Sequence, residues 1–524
     1  MLKRVSVLDT TLRDGAQMEG ISFSVDDKLR IVAKLDDLGV AYIEGGWPGS
    51  NSKDVEFFQR AQRLSLSHAK IATFSSTRRV GLTVDEDPSI AALLRAGMPV
   101  AVIVGKSSAM HVTEVLRTTL DENLAMITDT VACLVGHGIE VIYDAEHFFD
   151  GYLLNPQYTL QTLRAAHQAG ATMLVLCDTN GGTLPSAISR IVSETRAALP
   201  EAALGIHAHN DTGVAVANTL AAVEAGCVHV QGTMNGYGER CGNADLSTVI
   251  PNLQLKMDCQ ALANGNLGLL TETSRYISEI ANLRPNPHAP YVGGSAFAHK
   301  AGLHVSALLK SADTYQHIDP MLVGNHMRVL VSELAGRSNI VHKLTEMRLG
   351  WTLTAEEIRQ VAERIKDLES RGYQFESAEG SFELIIRRAQ PGYRAPFEVL
   401  DFIVLVEKRS NNRILSEATV KARVDGQVMH TAAEGEGPVN ALDLAMRKAL
   451  MPFYPELAAS QLTDFKVRII DPRSATSAVT RVAIDASDGE TTWTTVGCSA
   501  NIIEASFEAL IDSLELPLLR RASA

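Results

Sequence analysis

Two histidines separated by one residue are the feature of this 524-residue sequence with the clearest chemical meaning. His207 and His209 end a short apolar run and are followed by Asn210 and Asp211. On a β-strand, residues i and i+2 point to the same side, so both imidazoles can reach one point. The pattern predicts half of a metal site at a strand end, although two hydrogen-bonded histidines lining a barrel would have the same spacing.

Five more groups follow apolar runs in the same half of the chain. Asp14 offers a carboxylate to a metal, and Arg13 beside it could polarise a carbonyl or form an ordinary surface ion pair. Glu146 is a candidate acid or base, or a structural partner for an arginine. Thr179 could bind a carboxylate or cap a helix. Asn243 offers an amide oxygen to a metal, from a Gly-rich loop that could equally be a plain turn.

A second pair of histidines lies farther along the chain. His299 and His304 are five residues apart, with Gly302 between them. His304 could supply an acid or base to a site built mainly by the first half of the chain. The alternative is a packing role, which is the more common one for a histidine in a helical segment.

Eight short β-branched runs precede these loops, and they alternate with amphipathic stretches such as 26–38, 113–135, 156–169, 185–199 and 213–225. The runs are 5–8, 40–43, 70–74, 100–104, 139–143, 173–177, 204–207 and 228–231. The count of eight predicts an α/β fold, a (β/α)8 TIM barrel over residues 1–265. The loops after the strands of such a barrel gather at one mouth, where the candidate groups should meet.

The pattern changes after residue 265. Residues 266–345 look helical apart from a loop at 285–294, and residues 353–370 look like a further helix. We therefore expect a helical linker region over 266–380, with subdomains that contribute to the active site.

The rest of the chain, 381–524, contains an internal repeat of strands followed by a helix. Asp-Gly turns begin at Asp425 and Asp488, and each precedes a strand, a glycine-containing loop and a helical stretch. The helices should begin at Asn440 and Asn501, because asparagine is a good N-cap. The duplication predicts a small α+β domain, separate from the barrel.

Composition excludes some classes of partner. The net charge of −13 argues against a general binder of nucleic acid or anionic membranes. The sequence offers no apolar window of about 18 residues for a membrane span, and its start reaches Asp9 too soon for a signal peptide. Six cysteines without a CxxC motif indicate a reduced, cytoplasmic protein.

Two segments resemble the signatures of one enzyme family. Leu12-Arg-Asp-Gly-Ala-Gln17, followed after ten residues by Lys28, is similar to the first signature of the α-isopropylmalate and homocitrate synthases. Leu204-Gly-Ile-His-Ala-His-Asn-Asp-Thr-Gly213, followed by Val-Ala-Val-Ala, is similar to the second. The resemblance covers essentially the whole chain, and the duplicated domain resembles the regulatory domain of that family.

Three further segments, beginning at Glu44, Tyr143 and Cys177, are most similar to the longer form of the members that make citramalate. The resemblance implies an acyltransferase that condenses acetyl-CoA with pyruvate and hydrolyses the thioester, releasing (R)-citramalate and CoA on the way to isoleucine. Isopropylmalate or homocitrate synthesis stays open, because the same catalytic residues would serve all three acceptors. A non-catalytic amino-acid sensor on the same fold is the alternative of another class.

The resemblance also implies roles for individual residues. The implied metal ligands are Asp14, His207, His209 and Asn243. The implied catalytic residues are Arg13, Glu146, His304 and Tyr315, with His304 as the base. The implied substrate-binding residues are Arg13, Gln17, Glu44, Asp144 and Thr179. Lys106, Arg78 and Arg79 are weak candidates for contacts to CoA phosphates, and solvated surface charge is the simpler interpretation.

The implied cofactor is a divalent metal, Mg²⁺ or Mn²⁺, with Zn²⁺ as a third candidate, and acetyl-CoA is the co-substrate. The implied assembly is a homodimer, in which His304 and Tyr315 would act on the partner's barrel. The C-terminal domain would bind isoleucine as an effector, at the loop 435–438 before the Asn440 helix, since helix N-termini favour carboxylates. The alternative is that this domain only dimerises.

Overall fold

The structure, a computed structural model, describes residues 3–299, 304, 307–308, 310–329, 340, 344, 353–375, 378–408, 414–470 and 478–522. The chain forms two compact units. The first consists of Met1–Phe297 with Ile318–Met327, and the second of Ala298–His317 with Arg328–Ala524. The division of the chain at residues 265 and 380 stays a prediction.

Eight parallel strands close into a barrel in the first unit, which confirms the predicted fold class. The strands are β1 (Ser6–Asp9), β2 (Tyr42–Gly46), β3 (Lys70–Ser76), β4 (Val100–Lys106), β5 (Glu140–Glu146), β6 (Met173–Asp178), β7 (Leu204–Ala208) and β8 (His229–Gly232). Each strand continues one to three residues beyond its predicted apolar run. The added residues include Glu44, Asp144 and Glu146, so these acidic groups lie on strands at the mouth rather than in loops.

Helices alternate with the strands. They are α1 (Val25–Leu38), α2 (Ser52–Ala61), α3 (Pro88–Ala96), α4 (Leu120–Gly136), α5 (Phe148–Leu154), α6 (Pro156–Gln168), α7 (Pro185–Ala198), α8 (Ala215–Ala225) and α9 (Leu246–Lys256). The single helix predicted over 113–135 is wrong. A π-helical turn, His111–Leu116, precedes α4, and Arg117 separates the two in a left-handed conformation at φ 54°.

A packed apolar core fills the barrel interior up to the mouth. Its members are Leu8, Ala72, Phe74, Val100, Val102, Ile142, Val175 and Cys177. A filled interior of this kind leaves the mouth as the place where a ligand can enter a barrel of this size.

The segment after the barrel is less helical than predicted. Helix α10 (Leu270–Ile280) lies within the expected helical region, and the loop predicted at 285–294 is confirmed. Residues 295–299 and 310–329, however, form turns, short 3₁₀ helices and two-residue strands in place of the predicted helix. Residues 300–303, 305–306, 309, 330–339, 341–343 and 345 of that prediction lie outside the described residues. Helix α11 (Ala355–Ser370) confirms the helix predicted at 353–370, and α12 (Glu379–Arg388) follows it.

The C-terminal part contains two copies of one unit, which confirms the predicted duplication. Each copy is a three-stranded antiparallel sheet followed by a helix. The first comprises β9 (Phe397–Lys408), β10 (Ile414–Val424), β11 (Gln427–Gly435) and α13 (Pro438–Leu450). The second comprises β12 (Gln461–Ile469), β13 (Thr480–Ser487), β14 (Thr492–Ser499) and α14 (Ile502–Ala522).

The two predicted asparagine caps have different outcomes. Asn501 precedes α14 and its side chain accepts a hydrogen bond from Ile503 N, as an N-cap does. Asn440 is not an N-cap, because α13 begins two residues earlier at Pro438, after Gly437. Proline suits the first helical position, since its fixed φ is already helical, and it sets the start of α13. Across the described residues, no helix has the combination of length and apolar character needed to cross a membrane.

Candidate active site

Asp14, His207 and His209 converge at the mouth of the barrel. His207 Nε2 lies 3.4 Å from Asp14 Oδ2 and 3.4 Å from His209 Nε2. All three side chains are buried, and one ligand atom from each lies within 4.8 Å of the other two. The strand geometry expected for the two histidines therefore brings both imidazoles to one point.

The charges of the three groups suit a cation. Burial opposes ionisation of Asp14, yet Arg13 and His207 hold the pKa of its carboxyl below the usual value. Burial and the neighbouring His207 lower the pKa of His209 to about 4, which leaves this imidazole neutral at pH 7. Burial acts against the charge of His207 as well, but Asp14 raises the pKa of this imidazole. An anionic oxygen beside neutral imidazole nitrogen is the donor chemistry that divalent metals require.

Asn243 adds an amide oxygen beside this group. Its backbone bridges that of His209, and its Nδ2 donates to the carbonyl of Tyr237 at 3.0 Å. Asn243 Oδ1 is buried and has no hydrogen-bond partner among the described residues. A buried acceptor without a donor fits a metal ligand, and the four donors together fit a divalent cation of the Mg²⁺, Mn²⁺ or Zn²⁺ type.

Arg13 is held beside the metal candidates by Glu44 and Phe74, and its Nη1 lies 3.6 Å from Asp14 Oδ2. Its Nε donates to Glu44 Oε2 at 2.7 Å, and its guanidinium lies 4.0 Å from the centre of the Phe74 ring. Glu44 is fully buried on β2. Burial raises the pKa of Glu44, while the ion pair with Arg13 opposes that rise. The bond to Nε fixes the orientation of Arg13, which also lines the mouth cavity, so its terminal N–H groups can donate to a ligand there.

Asp144 and His207 are joined through a residue that the sequence analysis missed. Gln231 Oε1 lies 2.9 Å from His207 Nδ1, and Gln231 Nε2 donates to Asp144 Oδ1 at 2.9 Å. All three side chains are buried. Burial raises the pKa of Asp144 to about 7, against the effect of His207. A glutamine in the β-branched run 228–231, near the end of β8, was the signal in the sequence.

Glu146 is the last residue of β5, and Thr179 directly follows the neighbouring strand β6 at the mouth. Glu146 forms an ion pair with Lys106, which is opposite to it in the β4–β5 register. The Thr179 hydroxyl accepts a hydrogen bond from the backbone N–H of His147 at 2.8 Å. Lys106 is thus a partner for the candidate acid or base. Of the other two basic candidates for CoA contacts, Arg78 pairs with two acidic side chains, Glu122 and Asp129.

A cavity of about 370 Å³ unites most of these groups. The predicted site residues that line it are Arg13, Asp14, Gln17, Glu146, Thr179 and His209. The lining residues without a predicted role in the site are Trp47, Phe74, Ser76, Thr77, Val104, Leu116, Glu239 and Arg240, in addition to Lys106. Arg240 donates to both carboxylate oxygens of Asp211 and to the carbonyl of Thr179, so it ties two loops of the mouth together.

His304 and Tyr315 belong to the second unit. Their rings stack on each other, with centroids 4.1 Å apart and planes at 27°. Both side chains are exposed, Tyr315 to 47%. The structure thus brings together the two predicted catalytic residues of the linker region, and their ring faces touch each other.

Three family models and several full-length relatives match this chain. Residues 4–277 match the HMGL-like family, 291–373 a homocitrate synthase post-HMGL domain-like family, and 376–517 the LeuA allosteric (dimerisation) domain. The (R)-citramalate synthase of Aquifex aeolicus is 51% identical over 521 residues, 99% of both chains. That of Synechocystis sp. is 53% identical over 97% of this chain and 95% of that protein. A probable 2-isopropylmalate synthase of Methanopyrus kandleri is 31% identical over 99% of this chain and 100% of that protein.

Proposed function

The chain belongs to the family of the (R)-citramalate synthases, and on that premise we propose that it condenses acetyl-CoA with pyruvate and hydrolyses the thioester, releasing (R)-citramalate and CoA. The observation that carries this proposal is the full-length identity of 51% to a relative that makes citramalate, against 31% to one that makes isopropylmalate. An acceptor other than pyruvate is therefore not favoured. The product is a starting compound for isoleucine biosynthesis.

The acceptor side of the reaction uses Arg13 and Thr179. Glu44 and Phe74 hold Arg13 at the cavity, where its guanidinium stabilises the negative charge that develops on the keto oxygen of pyruvate. The Thr179 hydroxyl accepts from His147 N, so its own proton can be donated to the carboxylate of pyruvate. Gln17 lies beside Arg13 on the same cavity and is a further polar contact for substrate.

We infer that Asp14, His207, His209 and Asn243 hold a divalent cation, Mg²⁺ or Mn²⁺, with Zn²⁺ as a third candidate. The buried donor set and the unpartnered amide oxygen support this assignment. A divalent cation supplies Lewis-acid polarisation of the keto oxygen when it is bound. Two imidazoles among oxygen donors do not select one of these metals over the others.

The proton transfers use groups from both parts of the chain. His304 removes a methyl proton from acetyl-CoA, and the resulting carbon nucleophile forms the new bond to the keto carbon. Glu146, paired with Lys106 on the cavity wall, is the carboxylate available to the water that cleaves the thioester. Tyr315 stacks on His304 and orients its ring.

We also propose a homodimer in which His304 and Tyr315 serve the partner's barrel. The match of residues 376–517 to a dimerisation domain supports the dimer. Exposed apolar side chains on the outer strands β9 and β12 support a contact surface there. Examples on these strands are Ile403, Leu405, Phe465 and Val467.

The proposed effector of the C-terminal domain is isoleucine. Helix α13 begins after Gly437 without a side-chain cap, so the backbone N–H groups of its first turn suit a carboxylate. A Cβ at Gly437 meets nothing within 4 Å, so Gly437→Leu should fold and fill this position. We expect this variant to lose inhibition by isoleucine at unchanged uninhibited turnover. Gly136→Ala, equally open but on α4, is the control and should stay inhibited.

We propose a cytoplasmic protein that binds neither nucleic acid nor membranes, on the basis of its cysteines and its net charge. All six cysteines are free, which supports a reducing compartment and hence the cytoplasm. The net charge of −13 gives no basis for binding nucleic acid or an anionic membrane. The anionic substrates bind instead through individual cationic side chains at the site, of which Arg13 is one.

An assay of CoA release with three keto acids tests the proposed reaction. We expect release with pyruvate to exceed by far the release with 2-oxoisovalerate or 2-oxoglutarate, after correction for acetyl-CoA hydrolysis without acceptor. Preference for either of the other acids would contradict the acceptor. Retained isoleucine binding without CoA release from any acceptor would instead indicate an amino-acid sensor.

A further inference from the structure

A buried series of polar side chains crosses the interior of the barrel from the histidine pair. His207 on β7 and Gln231 on β8 are opposite each other in the strand register. Asp144 is on β5, which pairs with β4 and β6 and with neither of those strands. Gln231 therefore bridges positions that the backbone of the barrel does not place side by side.

The partners of Gln231 determine the orientation of its amide. An ionised carboxylate only accepts hydrogen bonds, so in that form Asp144 Oδ1 accepts a hydrogen bond from Gln231 Nε2 at 2.9 Å. The amide oxygen then faces His207 Nδ1, also at 2.9 Å, and this nitrogen must carry a proton to donate. A neutral His207 in this tautomer has its lone pair on Nε2, the atom that lies 3.4 Å from Asp14 Oδ2.

We propose that Gln231 and Asp144 are positioning residues that fix His207 in the tautomer whose Nε2 can bind a cation. The inference rests on the proposed metal site. It gives Asp144 a role through Gln231, in place of the direct substrate contact implied by the family resemblance. Loss of an outer partner of this kind commonly lowers metal affinity by about 10- to 100-fold.

The test measures Mn²⁺ binding to the metal-stripped, full-length protein by titration calorimetry, without any turnover. Gln231→Met keeps the size of the side chain and removes both hydrogen bonds, and we expect Mn²⁺ to bind about 10- to 100-fold more weakly. The matched control is Gln254→Met. Gln254 lies on α9, and its side chain also accepts a partly buried hydrogen bond, from Leu262 N at 3.0 Å. We expect the control to bind Mn²⁺ as the unmodified protein does.

An exchange of the two groups separates orientation from structure. Gln231→Glu alone sets two carboxylates against each other, and Asp144→Asn alone lets the Gln231 amide reverse, so each should weaken Mn²⁺ binding. The double variant Gln231→Glu with Asp144→Asn reverses the order of amide and carboxylate and keeps both hydrogen bonds. It should recover most of the affinity that either single change loses, a non-additive result. Because all three variants preserve side-chain size, they carry the test if Gln231→Met does not fold.

Two results would overturn the inference. One is unchanged Mn²⁺ affinity in folded Gln231→Met. The other is a double variant that binds no better than the worse single variant. Failure of the unmodified protein to bind Mn²⁺ would instead remove the proposed metal site, and the positioning role with it.

Discussion

Two clusters of candidate catalytic groups, one around His207 and one formed by His304 and Tyr315, differ in burial and in the number of side chains that contact the histidine. His207 in the barrel is buried and is fixed from several sides, by Asp14, His209 and Gln231. His304 in the second unit is exposed, and its ring stacks on that of Tyr315. A group that binds an ion must be in place before the ion arrives, because every donor must be fixed at once. A general base such as the one proposed for His304 can stay exposed in one chain, because the partner's barrel can supply the rest of its surroundings.

The largest expected effect comes from the buried cluster. His207→Ala removes a proposed metal ligand and one of the groups that stabilise the buried charge of Asp14. We expect CoA release with pyruvate to fall about 10³-fold or more, because a metal site supplies several kcal/mol of charge stabilisation. His167→Ala, on α6 in the same unit, is the control and should remain active. Near-normal turnover in folded His207→Ala would refute the metal assignment.

The exposed cluster should fail in a different way. His304→Ala removes the proposed base, and loss of a general base typically costs 10²–10⁴-fold, so we expect about 10²-fold slower CoA release. Mn²⁺ binding, measured by calorimetry, should be unchanged. His430→Ala on β11 is the control within the second unit. A parallel loss of Mn²⁺ affinity would show that the two clusters are not independent.

Mixing the two defects tests whether the clusters act across a dimer. Co-expressed His207→Ala and His304→Ala chains should form mixed dimers as half of the population, and each mixed dimer would hold one intact site. CoA release should then recover to about a quarter of the normal value if His304 acts on the partner's barrel. Recovery no greater than the sum of the two single variants would indicate that each chain serves itself.

The difference between the clusters also explains what the sequence could predict. The i, i+2 spacing of His207 and His209 is local, and it brings the two imidazoles together although only His207 lies on β7 and His209 directly follows it. Eight apolar runs were enough for the barrel, since each became one strand. The polar ends of the strands were harder to place. Glu44 and Asp144 extend the ladders, because inward-facing polar residues at the mouth pair in the sheet as well as apolar ones do.

Long-range partners were beyond the sequence patterns. Gln231 contacts Asp144 across the barrel interior, and 87 residues separate them along the chain. Local signals also failed where one residue overrode a pattern. Pro438 starts α13 before Asn440 can cap it, and the left-handed Arg117 interrupts a stretch with helical periodicity.

The smallest expected effect concerns Tyr315. It tests whether the Tyr315 ring orients the imidazole of His304. The 4.1 Å stack on His304 requires an aromatic ring, not the hydroxyl. Aromatic pairs contribute about 0.5–1.5 kcal/mol, so Tyr315→Leu should slow CoA release by up to about tenfold. Tyr315→Phe preserves the ring and should stay within about twofold of the unmodified enzyme. An equal loss in both variants would mean that the hydroxyl itself takes part in proton transfer, and that the exposed pair works as two groups of the site rather than as one oriented base.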